Sequence, residues 1–378
     1  MQNKIMKSFY RLLMSKDPLY LFIDRPDKAD DNAEALYDYY AAHYPSHAIY
    51  FVLEKHLPDW QRLEAKGVQL IPYGTLLHLI LLLKASYYLS SHLPKYHFRL
   101  FSKKILKRYC RFKFIFLQHG VTHNDISTIL NRHQIDLLIT ATHAEYENFI
   151  QDRRYDHRDK ENTILSGFPR FDRREKQTES KTLLIFPTWR AYFTEHAKQE
   201  TIPFGSSLYC QEWQAFLNHP MLEQLSTTYG YKLQFLAHPE VERFVDLLEL
   251  PAYIEKFSFD TISIQSLLDQ AGLLITDYSS LAFDMAIRHK ALCYFQFDQE
   301  AFFSESHLYA RSYFEYKKDG FGAVCEDIDS LLLAIEEILQ NDGTISSTYL
   351  QRIESTFPYF DKDNSQRVAK YIEAKVFK

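Results

Sequence analysis

Short apolar runs separated by stretches of helical period organise the chain from residue 19 onward. Leu19–Ile23 and Ala48–Leu53 are continuous apolar runs of strand length, and the residues between them, from about Asp31 to Tyr44, follow a helical pattern. Val68–Ile71 and Ser86–Ser90 read as further short strands. Phe112–Leu117 is another, ending at Gln118-His119-Gly120, and Ile135–Thr140 follows it. Strands alternating with helices predict βαβ units around a mostly parallel sheet. At Ser166-Gly167-Phe168-Pro169-Arg170 the pattern breaks into a turn, and a charged stretch runs on through Ser180. Gly, Pro and clustered charge mark a connection between domains.

The second half restarts with Thr182–Phe186, Lys232–Leu236, Leu273–Thr276 and Ala291–Phe297 as strands. Helical patterns cover Gln211–Thr228, Ser279–His289 and Asp329–Leu339. The expectation is an α/β protein with two Rossmann-type βαβ domains, residues 1–172 and 173–378, facing a central cleft, with room for the C-terminal helix to cross back. This is the arrangement of a GT-B-type transferase, although the pattern alone does not separate it from other double-Rossmann folds.

A length of 378 residues suits two domains of ordinary size. A net charge of −5 argues against a general nucleic-acid binder. The N-terminus lacks the apolar core and cleavage site of a secretory signal, and Leu76 to Leu83 falls short of the roughly 20 residues that span a bilayer. Cys110, Cys210, Cys293 and Cys325 are scattered without a CxxC pair, so reduced thiols in a cytoplasmic enzyme are the simplest reading.

Candidate chemistry gathers just past the strands, where α/β folds bind ligands. In LLITDYSSLAFDMAI a buried strand runs through Asp277-Tyr278-Ser279-Ser280 into a helix. Hydroxyls and unpaired amides at such a helix start suit a phosphate, although the same residues equally cap a structural helix. Gln118-His119-Gly120, Pro187-Thr188-Trp189-Arg190 and His238-Pro239 close three other strands. No GxxxxGK[ST] or GxGxxG is present, so phosphate falls to the helix start, hydroxyls and Arg190. Asp277, Asp284 and Asp298 lie near this region without a metal-ligand spacing, so no metal site is assigned; a phosphate-bound magnesium ion is compatible with that. Eight basic residues and no acidic one occupy Lys95–Lys113, among them Lys103, Lys104, Lys107 and Arg108, interleaved with aromatic and aliphatic side chains. Such a segment suits an anionic bilayer surface or a solvated helix face.

The ordered elements DNAEALYDYY, QHG, SGFPRFD, FPTWR, AHP, TDYSSLAFD and YFQFD, spread from Asp31 to Leu339, resemble the CDP-glycerol glycerophosphotransferase family of teichoic-acid synthesis. The resemblance implies a GT-B fold, a CDP-glycerol or CDP-ribitol donor, and a lipid-linked or polymeric acceptor in teichoic-acid-like or capsule synthesis. It also implies attachment to the cytoplasmic face of the membrane. The family histidines fall on His119 and His238, and its donor-binding Ser-Ser turn on Ser279 and Ser280. Around the donor phosphates stand Arg190, Thr188, Asp277 and Asp284, with Gln118 and Gly120 on the acceptor side. The sequence departs from the pattern at Gln118, where many relatives have tryptophan, and at Asp319-Gly320-Phe321-Gly322, in place of a Pro-Gly-Pro turn. The chain is short beside the polymerising members, which favours single addition. The competing readings are a GT-B glycosyltransferase using a nucleotide sugar and an inactive membrane-bound scaffold.

Overall fold

The computed structural model describes residues 17–94, 109–156, 158–175, 180–190, 204–303 and 310–376. Two parallel sheets form its frame. The first has the order β3-β2-β1-β4-β5-β6-β7, from β1 (Leu19–Ile23), β2 (Ala48–Leu53), β3 (Leu70–Pro72), β4 (Tyr87–Ser90), β5 (Lys113–Phe116), β6 (Leu137–Thr140) and β7 (Thr163–Leu165). The second has the order β10-β9-β8-β11-β12-β13, from β8 (Thr182–Phe186), β9 (Lys232–Leu236), β10 (Ile254–Phe257), β11 (Leu273–Thr276), β12 (Ala291–Phe295) and β13 (Ala323–Cys325). All pairings between these strands are parallel. The central strands are apolar throughout because helices cover both faces: every residue of β1, β6, β11 and β12 is buried.

Each sheet reverses direction once, between β1 and β4 in the first and between β8 and β11 in the second. The crevice beyond the carboxyl ends of such strand pairs is where open α/β sheets bind ligands. The segments that follow these strands carry polar residues: Asp24, Arg25, Ser91 and His92 at the first, Thr188, Arg190, Asp277, Ser279 and Ser280 at the second.

Several elements differ from expectation. The helix expected over Gln211–Thr228 is two, Leu208–Leu217 and Pro220–Tyr229. Pro220 lacks the N–H that would continue the first helix, and His219 caps the second by accepting from the Met221 amide at 3.2 Å. The helix expected over Ser279–His289 is ordered only as Leu281–Ala286.

The helix Asn364–Val376 returns to the first sheet. Asp172 accepts from the amides of Asn364 (3.0 Å) and Ser365 (2.7 Å), capping its start. Near its end Glu373 accepts from Tyr20 (3.0 Å) and Tyr40 (2.9 Å). One apolar cluster runs from Tyr20 and Phe22 under the first sheet through Phe171, Phe283 and Tyr294 to Val368 and Ile372, so the core is continuous between the two sheets.

Candidate active site

His119 leaves β5 in a loop whose shape is set from behind. Gln118 adopts φ +56, a left-handed conformation that costs a side-chain-bearing residue roughly 1–2 kcal/mol. Its amide is buried and fully used: Nε2 donates to the Ile139 carbonyl (2.7 Å) and to Glu145 (3.1 Å), and Oε1 accepts from the Thr122 hydroxyl (2.6 Å). Glu145, in the helix His143–Gln151, also accepts from the amides of Thr122 (2.7 Å) and Ala141 (2.8 Å). Gln118 therefore shapes the loop and does not face an acceptor, which corrects the expectation. Burial without a cation pushes Glu145 up to about 7.

The His119 ring is open to solvent at one side yet densely surrounded, and it stacks on His92 at 4.4 Å. Burial lowers its pKa; Asp31 pulls it up, Arg170 down, the Ser91 carbonyl up and Arg25 down. A ring N–H aimed at that carbonyl leaves the other nitrogen with its lone pair. His238 follows β9. Burial, with the charges of His119 and Arg25 adding to it, holds its pKa down to about 3. Its Nδ1 accepts the Glu240 amide at 3.2 Å, so the neutral ring carries its proton on Nε2. His238 thus feels the charges of His119 and Arg25 from the ends of the other sheet's strands, and stands near them at one cleft.

Gly120 packs directly on Ser280: a Cβ added at Gly120 would lie 2.2 Å from the Ser280 Oγ. Ser280 is half-buried and helical in conformation, with no capping hydrogen bond from its side chain, whereas Ser279 Oγ accepts from the Leu281 amide at 3.1 Å. Ser280 and Gly120 thus meet where the two sheets approach each other.

The expected phosphate ligand Arg190 lies elsewhere. Its guanidinium is fully enclosed between Asp277 (2.9 Å) and Asp298 (2.7 and 3.0 Å), among the rings of Tyr209, Tyr278 and Phe302. Burial opposes its charge, and the two carboxylates more than offset that. Asp277 is as deeply buried, and accepts from the amides of Thr188 and Tyr278. Thr188 is buried behind this pair, its carbonyl accepting from Arg190 at 2.8 Å. Asp284 is buried against Arg170, which it holds through two bonds of 2.8 Å. Arg190, Asp277 and Asp284 are therefore framework residues, because a carboxylate removed from water needs a cation or donors at hand, and Thr188 joins them through its backbone.

Among the described residues no group of three or more His, Cys, Asp or Glu could hold a metal ion. No helix among them is long and apolar enough to cross a membrane. Lys103, Lys104, Lys107 and Arg108 lie outside the described residues.

A sequence model of the CDP-glycerol:poly(glycerophosphate) glycerophosphotransferase family matches residues 5–374. The chain belongs to this family. It is 33% identical over 370 residues to the minor teichoic acid biosynthesis protein GgaB of Bacillus subtilis (strain 168), covering 94% of this chain and 40% of GgaB. It is 26% identical over 153 residues to the teichoic acid glycerol-phosphate primase of Bacillus spizizenii, covering 40% of this chain and 33% of the primase. The chain thus spans two fifths or less of these curated relatives. Its fold matches the wall teichoic acid polymerase TagF soaked with CDPG, with a TM-score of 0.62 at 17% identity, covering 99% of this chain and 96% of that one. It also matches S. aureus MnaA with UDP, with a TM-score of 0.58 at 13% identity, covering 96% and 97%. The fold is GT-B-like, as the family resemblance implied.

Within this family member, Arg25, His92 and Glu145 went unnoticed in the sequence, and Asp31, Asn32 and Arg170 stood in the family elements DNAEALYDYY and SGFPRFD without a role at the site; all six surround His119 directly or through its loop. Arg25 and His92 carried the same signal as His119, a polar residue just past an apolar strand.

Proposed function

We propose that this chain transfers a glycerol-phosphate or ribitol-phosphate group from a CDP-polyol to a hydroxyl of a polymeric or lipid-linked acceptor, releasing CMP. The observation that carries this reading, beside the family, is the close packing of the His119 loop on the second sheet, Gly120 against Ser280, with His238 near enough to feel the charge of His119. The acceptor oxygen attacks the phosphorus that bears the polyol, the bond from that phosphorus to the CMP oxygen breaks, and His119 takes the acceptor proton. His119 suits a base because its environment keeps it neutral at rest. His238 suits a donor to phosphate oxygen, since its Nε2 carries the proton. With Arg190 enclosed, Arg25 is a cation that can meet the phosphate charge: it is 30% exposed, paired with Asp27 and lies over the Phe259 ring at 5.6 Å. Ser280 and the amides around it add neutral donors.

CMP release from CDP-glycerol and CDP-ribitol, with and without acceptors, is the test. His119→Ala should lower turnover roughly 10²–10⁴-fold with little change in CDP affinity. Release of UDP or GDP from a sugar donor, with no CMP from either CDP-polyol, would replace this reading with a glycosyltransferase. The basic stretch Lys95–Lys113 supports peripheral docking on an anionic inner leaflet, where each Lys or Arg contributes about 1 kcal/mol. A Lys103/Lys104/Lys107/Arg108→Glu variant should then lose co-sedimentation with anionic vesicles; equal binding by the variant would make the stretch a solvated face.

A further inference from the structure

We propose that Asp31 and Asn32, at the start of the helix Asn32–His43, are the positioning residues of the His119 base: Asn32 fixes its loop and Asp31 supplies the anion that stabilises its protonated ring. The proposal rests on the reading of His119 as the base.

Asn32 is completely buried, and its side-chain amide is fully used, Nδ2 on the His119 loop and Oδ1 on the segment that carries Arg170. Its Nδ2 donates to the carbonyls of Leu117 (3.1 Å) and Gln118 (2.7 Å), the two residues before His119. Its Oδ1 accepts from the Arg170 amide at 3.0 Å. The left-handed backbone of Gln118 is thus held by its carbonyl from this helix and by its side chain from Glu145. Deleting the Asn32 amide would orphan two buried carbonyls at the turn that aims the imidazole.

Asp31 is fixed just as firmly. Its Oδ1 accepts from the Asn32 amide and from Arg170 Nη1, both at 2.8 Å, and its side chain stays 20% exposed. Arg170 spends its other edge on Asp284. One guanidinium therefore stands between two carboxylates. Burial pushes the Asp31 carboxyl up, while the Arg170 guanidinium and then His119 pull it back down, and Asp31 in turn pulls the His119 ring up. The groups facing His119 are Asp31, Arg170, Arg25, the stacked His92 and, across the cleft, His238. Burial and the arginines keep the ring neutral at rest, and Asp31 offsets the positive charge that appears when the acceptor proton arrives.

Asp31→Asn separates charge from shape, since asparagine caps a helix as well as aspartate and still accepts from Arg170. CMP release should be measured from pH 5 to 9 for wild type, Asp31→Asn, Asp31→Glu, Asn32→Ala, His119→Ala and Asp31→Asn/His119→Ala, with CDP affinity by calorimetry and thermal melts as controls. Asp31→Asn should lower kcat about tenfold or more and move the acid limb of kcat/KM down by about one pH unit, because the imidazole loses the charge that holds its proton. CDP affinity should hold within about twofold, given that the change lies on the base side of the cleft. Asp31→Glu should restore the acid limb. Asn32→Ala should lower kcat with the limb unmoved, since it alters aim and not charge. Adding Asp31→Asn to His119→Ala should cost nothing further. If His119→Ala is inactive but Asp31→Asn keeps the wild-type limb, Asp31 has no part in charging the base and the proposal falls. If His119→Ala keeps its turnover, the base is another group, and the reading beneath the proposal falls instead.

Discussion

Replacing Arg190 by methionine tests whether this residue is framework or ligand. Methionine keeps much of the side-chain volume, so the lost cation dominates the change. Two carboxylates, Asp277 and Asp298, would remain enclosed, at 2.9 and 2.7 Å from the atoms removed. Breaking a buried pair by deleting one partner costs about 3–5 kcal/mol. At roughly 2–4 °C per kcal/mol for a domain of this size, the melting temperature should fall by about 6–20 °C. Adding Asp277→Asn and Asp298→Asn should recover part of the loss, because a neutral replacement of the whole cluster leaves no unpaired charge. Circular dichroism melts read the stability, and calorimetry with CDP below the transition reads the site. The reasoning is refuted if the variant melts within about 2 °C of wild type yet no longer binds CDP, an outcome that would return Arg190 to the phosphate.

Gly120→Ala should weaken CDP binding and lower stability by about 1–3 kcal/mol, because the new methyl meets the Ser280 hydroxyl at 2.2 Å; adding Ser280→Gly should recover the stability but not the CDP binding, since the hydroxyl is lost with the clash, and a double variant no more stable than Gly120→Ala places the clash elsewhere. Asp24, buried and facing Asp31, has its carboxyl pushed up to about 8, mainly by burial. A pKa raised on folding adds stability at low pH that is lost as pH rises through the folded value, and the histidines His78 and His238, held down at about 4 and 3, act in the opposite sense only below about pH 6.5. Urea melts should therefore show stability falling between about pH 6.5 and 8, by at most about 1.4 kcal/mol per pH unit per group, with a shallower slope in Asp24→Asn; a flat wild-type profile contradicts this.

The strands were legible because a parallel sheet covered on both faces leaves unbroken apolar runs, as in Leu19–Ile23 and Leu273–Thr276. The short strands β7 and β13, and β10 with Glu255 and Lys256 inside it, leave no such run, and a helical period read across Pro220 joined two helices into one. At the site, the rule that polar residues past a strand face the cleft led to His119, His238 and Ser280. It also led to Arg190, Asp277, Asp284 and Gln118, all of them buried. The difference lies in partners remote in sequence: Arg190 meets Asp298 across 108 residues, and Asp284 meets Arg170 across 114. A single strand end does not reveal whether a charge will find such a partner. The same rule, applied to the ends of β1 and β4, would have reached Arg25 and His92.

The two arginine clusters share a logic. In each, one guanidinium stands between two carboxylates: Arg170 between Asp31 and Asp284, and Arg190 between Asp277 and Asp298. Each ties together loops that leave different strands, so the cleft edges are fixed before any ligand arrives. Neither offers spare positive charge. A diphosphate entering this cleft would be met by neutral donors, such as the His238 Nε2–H and the Ser280 hydroxyl, and by the partly exposed Arg25. Strong neutralisation of the resting donor would deepen the ground state, and binding energy shared equally by ground and transition state does not speed the chemical step. A donor held mainly by oriented neutral groups keeps its charge, and in the proposed reaction the Asp31 carboxylate would offset the charge that arises on His119 as it takes the acceptor proton.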